Sequence, residues 1–142
     1  MVESVLKRGW SLLQIEPCKE LDFEMLSQER EWLSIDLMPA QVQDVLLAHK
    51  KIPEDFLVGW CEDVNWITEY DWVYRTSFVR EKEFCQSSAK LIFKGLDTFA
   101  DIYLHGHKII QHSNFYLPDE AEITSLLRDE NDLVIHFHRV KD

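Results

Sequence analysis

The sequence predicts an all-β domain, an antiparallel sandwich or barrel, from three observations. Short segments rich in aromatic and β-branched residues follow one another through the second half, separated by turns at intervals of roughly 8–12 residues. Helical periodicity is confined to brief stretches. The 142 residues contain no internal repeat and no linker rich in Gly, Ser or Pro. We therefore expect one domain from Met1 to Asp142, with one or two short helices.

The first half of the chain carries two predicted strands and one predicted helix. The strands are Trp10–Ile15 and Trp32–Leu37, and the acidic stretch Glu16–Glu31 between them is expected to be irregular. Apolar residues recur at helical spacing within Gln41–His49, which starts just after Pro39. This segment is predicted to be a short helix.

The clearest strand pattern lies in Asp71–Val79. Trp72, Tyr74 and Phe78 share one parity, whereas Arg75 takes the other, as in a strand with one buried face. We therefore expect Trp72 to be buried in the core.

The remaining elements are mainly strands joined by turns. Strands are predicted at Ala89–Lys94, Phe99–Leu104, Lys108–His112 and Asp132–Val140. Gly106 is expected to supply the positive φ of a tight hairpin, and Glu122–Leu127 is expected to form one helical turn. In the last strand Leu133, Ile135 and Phe137 share one face.

Composition excludes several classes of function. The chain has 15 basic and 26 acidic residues, a net charge of −11, so it lacks the basic surface that nucleic-acid binding requires. No apolar run fits a signal peptide or a membrane span, so we expect a soluble, cytoplasmic protein that does not bind membranes. Cys18, Cys61 and Cys85 form no Cys-x-x-Cys pair and are expected to be reduced structural or surface thiols. We expect no cofactor.

Two pairs of histidines have a spacing that suits metal ligands. His105 and His107 flank the predicted hairpin, and His136 and His138 lie two apart on the last strand. A metal site needs three or four convergent ligands with an oriented second shell, which two isolated pairs do not supply. We therefore expect no metal site, and we expect His136 and His138 on a solvated face opposite the apolar residues of that strand.

Tryptophans among polar residues give the candidate binding site. Trp60, Asn65 and Trp66 lie in a segment with several carboxylates, and aromatic faces with amides or carboxylates suit a sugar ring. Core packing is the competing explanation for Trp60 and Trp66. The many acidic residues single out no catalytic pair, because a charged surface explains them.

Several motifs together resemble the N-terminal sugar-binding-like domain of glycoside hydrolase family 2, closest to β-mannosidases. The similarity covers nearly the whole chain, and its most specific parts are Asp71-Trp72-Val73-Tyr74-Arg75 and Gly95-Leu96-Asp97-Thr98. The other segments that carry it are Arg8-Gly9-Trp10, Met38-Pro39-Ala40-Gln41-Val42, Ile52-Pro53-Glu54-Asp55-Phe56, Phe99 to Gly106, His112-Ser113-Asn114-Phe115 and Ile123 to Leu127.

This resemblance implies a jelly-roll β-sandwich of the galactose-binding type, followed in the parent enzyme by immunoglobulin-like and barrel domains. The parent would be a retaining β-glycosidase whose two catalytic glutamates lie in the barrel, so no residue here is expected to be catalytic. The family's Trp-Asp-Trp-Gly motif would lie beyond Asp142, which implies a fragment. The resemblance implies that the domain packs on the barrel and shapes its sugar pocket. The alternatives are an autonomous carbohydrate-binding module and a protein-interaction domain.

Overall fold

Six antiparallel strands form the main sheet of the computed structural model, which describes residues 5–52, 62–80, 89–93, 99–112 and 119–139, with the backbone alone at 62–65, 112 and 119. In chain order the strands are β1 (Trp10–Ile15), β2 (Leu33–Ile35), β3 (Asp71–Val79), β4 (Lys90–Phe93), β5 (Ala100–Leu104), β6 (His107–His112), β7 (Asp119–Glu122) and β8 (Glu130–Phe137). The main sheet has the order β2-β1-β3-β8-β5-β6, and β4 pairs with β7 in a second, two-stranded sheet.

Three helical segments lie within the part of the chain that the structure describes. They are α1 (Phe23–Gln28), α2 (Val42–Ala48) and a 3₁₀ helix (Glu62–Glu69). Asp22 caps α1, because its Oδ1 accepts hydrogen bonds from the backbone N–H groups of Glu24 and Met25 at 3.1 and 3.2 Å. Helix α2 confirms the short helix predicted at Gln41–His49. The stretch Glu16–Glu31, which was expected to be irregular, contains α1.

The main sheet is buried on both faces. We call inner the face that shares one hydrophobic cluster with the second sheet, α2 and the 3₁₀ helix. Its strand residues include Trp10, Leu12, Trp72, Tyr74, Ile102, Leu104, Leu133 and Ile135. The opposite, outer face carries a second cluster in which Leu13, Val73, Tyr103 and Val134 pack with Leu26 of α1. Because successive side chains of a strand point to opposite faces, the same strands contribute residues to both apolar layers.

The predicted fold class is confirmed, because most elements are antiparallel strands in two sheets. Trp10–Ile15 and Asp71–Val79 are strands at the predicted bounds. Trp72 is 5% exposed, as expected for a core residue. The strand predicted at Trp32–Leu37 is limited to Leu33–Ile35, and the last strand ends at Phe137 rather than Val140.

Two predicted turns are also present. Gly106 has φ +79° and the preceding His105 has φ +53°, the backbone pattern of a tight hairpin turn between β5 and β6. In the predicted helical turn, the backbone N–H of Leu127 donates to the carbonyl of Ile123 at 2.8 Å. Glu122, however, ends strand β7, so that turn starts one residue later than predicted.

Candidate functional site

A buried polar cluster lies on the outer face where β3, β8 and β5 are adjacent. Register places His136 between Val73 on β3 and Asp101 on β5, so polar side chains from three strands share this face. Asp71, Asp101 and His136 are all buried, with exposures of 1%, 3% and 0%. The expectation that His136 lies on a solvated face is wrong. His138 is also partly enclosed, with a quarter of its side chain exposed.

Asp71 is the centre of this cluster and accepts three hydrogen bonds. His136 Nε2 lies 2.7 Å from Asp71 Oδ2, and the backbone N–H groups of Arg139 and Cys18 donate at 2.7 and 3.2 Å. Burial alone would raise the pKa of Asp71, but the hydrogen bonds from His136, Arg139 and Cys18 outweigh it and lower that pKa. Asp71 is therefore a buried, ionised acceptor that ties the start of β3 to β8.

The cluster continues to the surface through Asp101. His138 Nε2 lies 2.8 Å from Asp101 Oδ2, and Lys108 Nζ lies 3.5 Å from the same oxygen and 3.2 Å from Glu20 Oε1. The rings of His136 and His138 have centroids 4.0 Å apart. The register of β8 with β3 and β5 brings these histidines and aspartates together. The pattern of a single segment does not show that register, so the sequence patterns missed these histidine–aspartate contacts.

Cys18 borders the same cluster. Its thiol is free and half-buried, and burial, together with the charges of Asp71 and Glu20, raises its pKa. A thiol with a raised pKa is a poor nucleophile near neutral pH, which agrees with the structural role expected for Cys18. Cys61 and Cys85 lie outside the described residues.

A second polar feature of the outer face is an open depression of about 220 Å³. Its lining residues are Gly9, Ser11, Trp32, Arg75, Thr76 and Ser77. The Arg75 guanidinium holds both carboxylate oxygens of Asp132, at 2.8 and 3.0 Å, and about a third of each side chain is exposed. The bidentate pair fixes one rim of this depression.

The predicted sugar-binding residues are described only in part. Trp66 is half-buried and joins the inner cluster, with ring centroids 6.2 Å from Tyr70 and 6.1 Å from Trp72. Asn65 lies in the first half of the 3₁₀ helix, at a position where only the backbone is described, and Trp60 lies outside the described residues. Their role in sugar binding stays a prediction.

The first histidine pair occupies the hairpin. His105 Nε2 lies 3.0 Å from Asn131 Oδ1, and that oxygen also accepts from the backbone N–H of Arg128. His107 is exposed. Asn131 is buried and also donates to the carbonyl of Arg128, so His105 has a structural partner that joins the hairpin to the start of β8.

None of the helices within the described ranges has the length and apolar character that crossing a bilayer requires.

Comparison with known proteins identifies the family. The profile described as glycosyl hydrolase 2 galactose-binding domain-like matches residues 22–141. β-Mannosidase B of Aspergillus terreus is 31% identical over 131 residues, covering 92% of this chain and 14% of that protein. β-Mannosidase B of Thermothelomyces thermophilus is 36% identical over 110 residues, covering 77% of this chain and 13% of that protein.

Solved structures give the same result. The crystal structure of a β-D-mannosidase from Dictyoglomus thermophilum superposes with a TM-score of 0.75 and 29% identity, covering 96% of this chain and 16% of that one. A β-glucuronidase from an uncultured Clostridium shares the fold, with a TM-score of 0.65 and 20% identity. The chain spans about 14% of the length of the curated relatives that it matches first. The predicted resemblance to β-mannosidases is thus confirmed, and the chain belongs to the galactose-binding-like domain family of glycosyl hydrolase family 2.

Proposed function

We propose that this domain serves a β-mannosidase-like glycosidase, in which it packs on the catalytic barrel and shapes one wall of the sugar pocket. The observation that carries the proposal is the match of 92% of this chain to only 14% of a β-mannosidase. A (β/α)₈ barrel needs about 250 residues, more than the 142 residues here. The catalytic carboxylates are therefore expected outside these residues.

The chemistry of the buried carboxylates agrees with a non-catalytic role. Glycoside hydrolysis needs two carboxyl groups that flank the substrate, roughly 5–5.5 Å apart in retaining enzymes. Asp71 and Asp101 are instead buried and hydrogen-bonded to His136 and His138. They are committed to internal partners rather than presented to a sugar.

The test uses the 142-residue chain and the protein encoded by its whole reading frame. We expect the purified chain to leave 4-nitrophenyl β-mannoside intact, whereas the whole protein hydrolyses it. Replacing either barrel glutamate by glutamine should abolish turnover by the whole protein, with this domain unchanged. Turnover by the 142 residues alone, or a downstream frame that encodes no barrel, would overturn the proposal.

The rival function is direct carbohydrate binding by the domain, with Trp60, Asn65 and Trp66 as the contacts. Its support is the run of aromatic and polar residues in this segment. Mannose, manno-oligosaccharides and galactose are titrated while tryptophan fluorescence is followed. A saturable change that is lost in Trp60→Ala supports sugar binding, and an unchanged spectrum at millimolar sugar opposes it. A third possibility, a protein-interaction domain, gains support if the chain dimerises independently of salt.

A further inference from the structure

One ring nitrogen in the outer-face cluster lacks a partner. His136 is completely buried, and its Nε2 faces Asp71 Oδ2 at 2.7 Å. Its Nδ1 is also buried and has no hydrogen-bond partner among the described residues. Buried polar atoms are nearly always paired in proteins, so a buried ring nitrogen without a partner indicates a ligand or a water beside it.

The surroundings of His136 fix which nitrogen carries the proton. Asp71 is held as a carboxylate by the backbone N–H groups of Cys18 and Arg139, and a carboxylate only accepts hydrogen bonds. Nε2 of His136 is therefore the donor, and in a neutral imidazole Nδ1 then carries the lone pair. This is the arrangement of metal-binding histidines, whose second nitrogen donates to a carboxylate that orients the ring.

Two further ligand groups lie close to His136. Asp101 is paired with His136 across β5 and β8, and His138 Nε2 lies 2.8 Å from Asp101 Oδ2. One ligand atom each of Asp101, His136 and His138 lies within 4.8 Å of the corresponding atoms of the other two. We propose that these three residues form a binding site for a divalent transition metal of the zinc class, with Asp71 as the orienting carboxylate.

The ligand set and its exposure suit that ion. Two imidazole nitrogens and one carboxylate oxygen are ordinary zinc ligands, and a solvent molecule commonly fills the fourth position. His138 is 25% exposed, which leaves a route to solvent. With metal–ligand distances of about 2.0–2.1 Å, tetrahedral coordination requires the His138–Asp101 contact to widen by roughly half an ångström. Rotation of the partly exposed His138 ring can supply this change.

The charged side chains around this site are also compatible with a bound cation. Asp71 and Asp101 are both buried carboxylates, and Lys108 Nζ, 3.5 Å from Asp101, is the nearby lysine. A bound metal would repel that ammonium. Lys108 has a second partner in Glu20, at 3.2 Å, and its side chain is about a third exposed, so it keeps an ion pair when Asp101 turns to the metal.

The first test measures zinc binding to the full chain, purified without a histidine tag and stripped with a chelator. We expect one zinc per chain by elemental analysis, and a rise in Tm of roughly 5–10 °C when free zinc exceeds Kd a hundredfold. His138→Gln and Asp101→Asn should each weaken binding about tenfold or more. His107→Gln removes an exposed hairpin histidine instead and should bind zinc as the unchanged chain does.

A second readout separates a metal ligand from a histidine that merely packs. In ¹⁵N-resolved NMR spectra of the metal-free chain, His136 should show the tautomer protonated at Nε2. Zinc should then shift the Nδ1 signal of His136 and leave that of His107 unchanged. No shift at His136, no zinc-dependent rise in Tm, or equal affinity in His138→Gln would overturn the proposal and assign the orphaned nitrogen to buried water.

Discussion

Among single residues, Asp71 stands out as a buried carboxylate that holds several chain segments together. It is 1% exposed and accepts from one side chain and two backbone N–H groups. Asp71→Ala leaves the buried His136 Nε2 and two partly buried backbone N–H groups without their acceptor, and we expect it to lower the free energy of unfolding by about 3–5 kcal/mol. Urea denaturation measures this loss.

A matched control is Asp132→Ala. The carboxylate of Asp132 also accepts side-chain hydrogen bonds, from the Arg75 guanidinium, but about a third of each side chain is exposed. Exposed pairs contribute about 1 kcal/mol or less, so the two aspartates should differ severalfold. Equal losses in the two variants would show that burial does not set the strength of the Asp71 anchor.

The lowered pKa of Asp71 also predicts a pH dependence. The folded state keeps Asp71 ionised below its ordinary pKa of 3.8, so the unfolded chain takes up a proton first on acidification. The stabilisation is present above that value and is lost as the pH falls through the folded pKa. The stability difference between the unchanged chain and Asp71→Asn should therefore be constant above about pH 5 and shrink towards pH 2. A difference that grows on acidification would contradict this assignment.

Sequence patterns predicted burial correctly for Trp72 on the inner face of the main sheet and wrongly for His136 on the outer face. Trp72 was placed correctly because the alternation of Trp72, Tyr74 and Phe78 marks one apolar face. His136 was assigned to solvent because its own strand shows only that it faces away from Leu133 and Ile135. Its burial depends on Asp71 and Asp101, which lie on neighbouring strands and become its partners only through register.

At the scale of elements, α1 depends on its cap. The helix has six residues, too few to be stable by itself, and the Asp22 carboxylate accepts from two of its first N–H groups. We expect Asp22→Ala to cost about 1 kcal/mol of unfolding free energy, whereas Asp22→Asn should be nearly neutral because asparagine caps equally well. Thermal unfolding of the two variants checks this difference. A loss as large in Asp22→Asn would indicate that charge, not capping, supports α1.

The β5–β6 hairpin depends on the backbone freedom of Gly106. Its φ of +79° is unfavourable for residues with a Cβ, although no heavy atom lies within 4 Å of where that Cβ would sit. Gly106→Ala should therefore cost about 1 kcal/mol through backbone strain alone. Gly106→Asn should cost less, since asparagine tolerates this conformation. Chemical denaturation ranks the three sequences, and an equal loss in both variants would argue against backbone conformation as the cause.

Element prediction succeeded where a segment contains its own pattern. Strand β3 carries nine residues of clear alternation and was bounded correctly. Helix α1 places only Leu26 in full burial and lies in an acidic stretch, so its periodicity is too short to detect. The signal available was Asp22 as an N-cap with Glu24 in the first turn.

At the scale of the whole molecule, the main sheet is enclosed by two apolar layers, and their energetic coupling can be measured. Leu133 lies on the inner face and Leu26 of α1 covers the outer face, and both are 1% exposed. Truncation of either to alanine removes the same group from a buried site and should cost about 2–5 kcal/mol. If the layers unfold together, both variants shift the urea midpoint and leave the m-value unchanged.

Comparing Leu26→Ala with Leu133→Ala tests whether α1 unfolds cooperatively with the main sheet. Leu26 packs in the cluster with Val73, Tyr103 and Val134, which lie on the central strands β3, β5 and β8. Opening α1 therefore exposes the middle of the sheet rather than an edge. The free energies of opening that hydrogen exchange measures for the amides of α1 and of β3 should then be similar. Global stability unaffected by Leu26→Ala, with fast exchange confined to α1, would instead make α1 an independently opening cover over the outer apolar cluster.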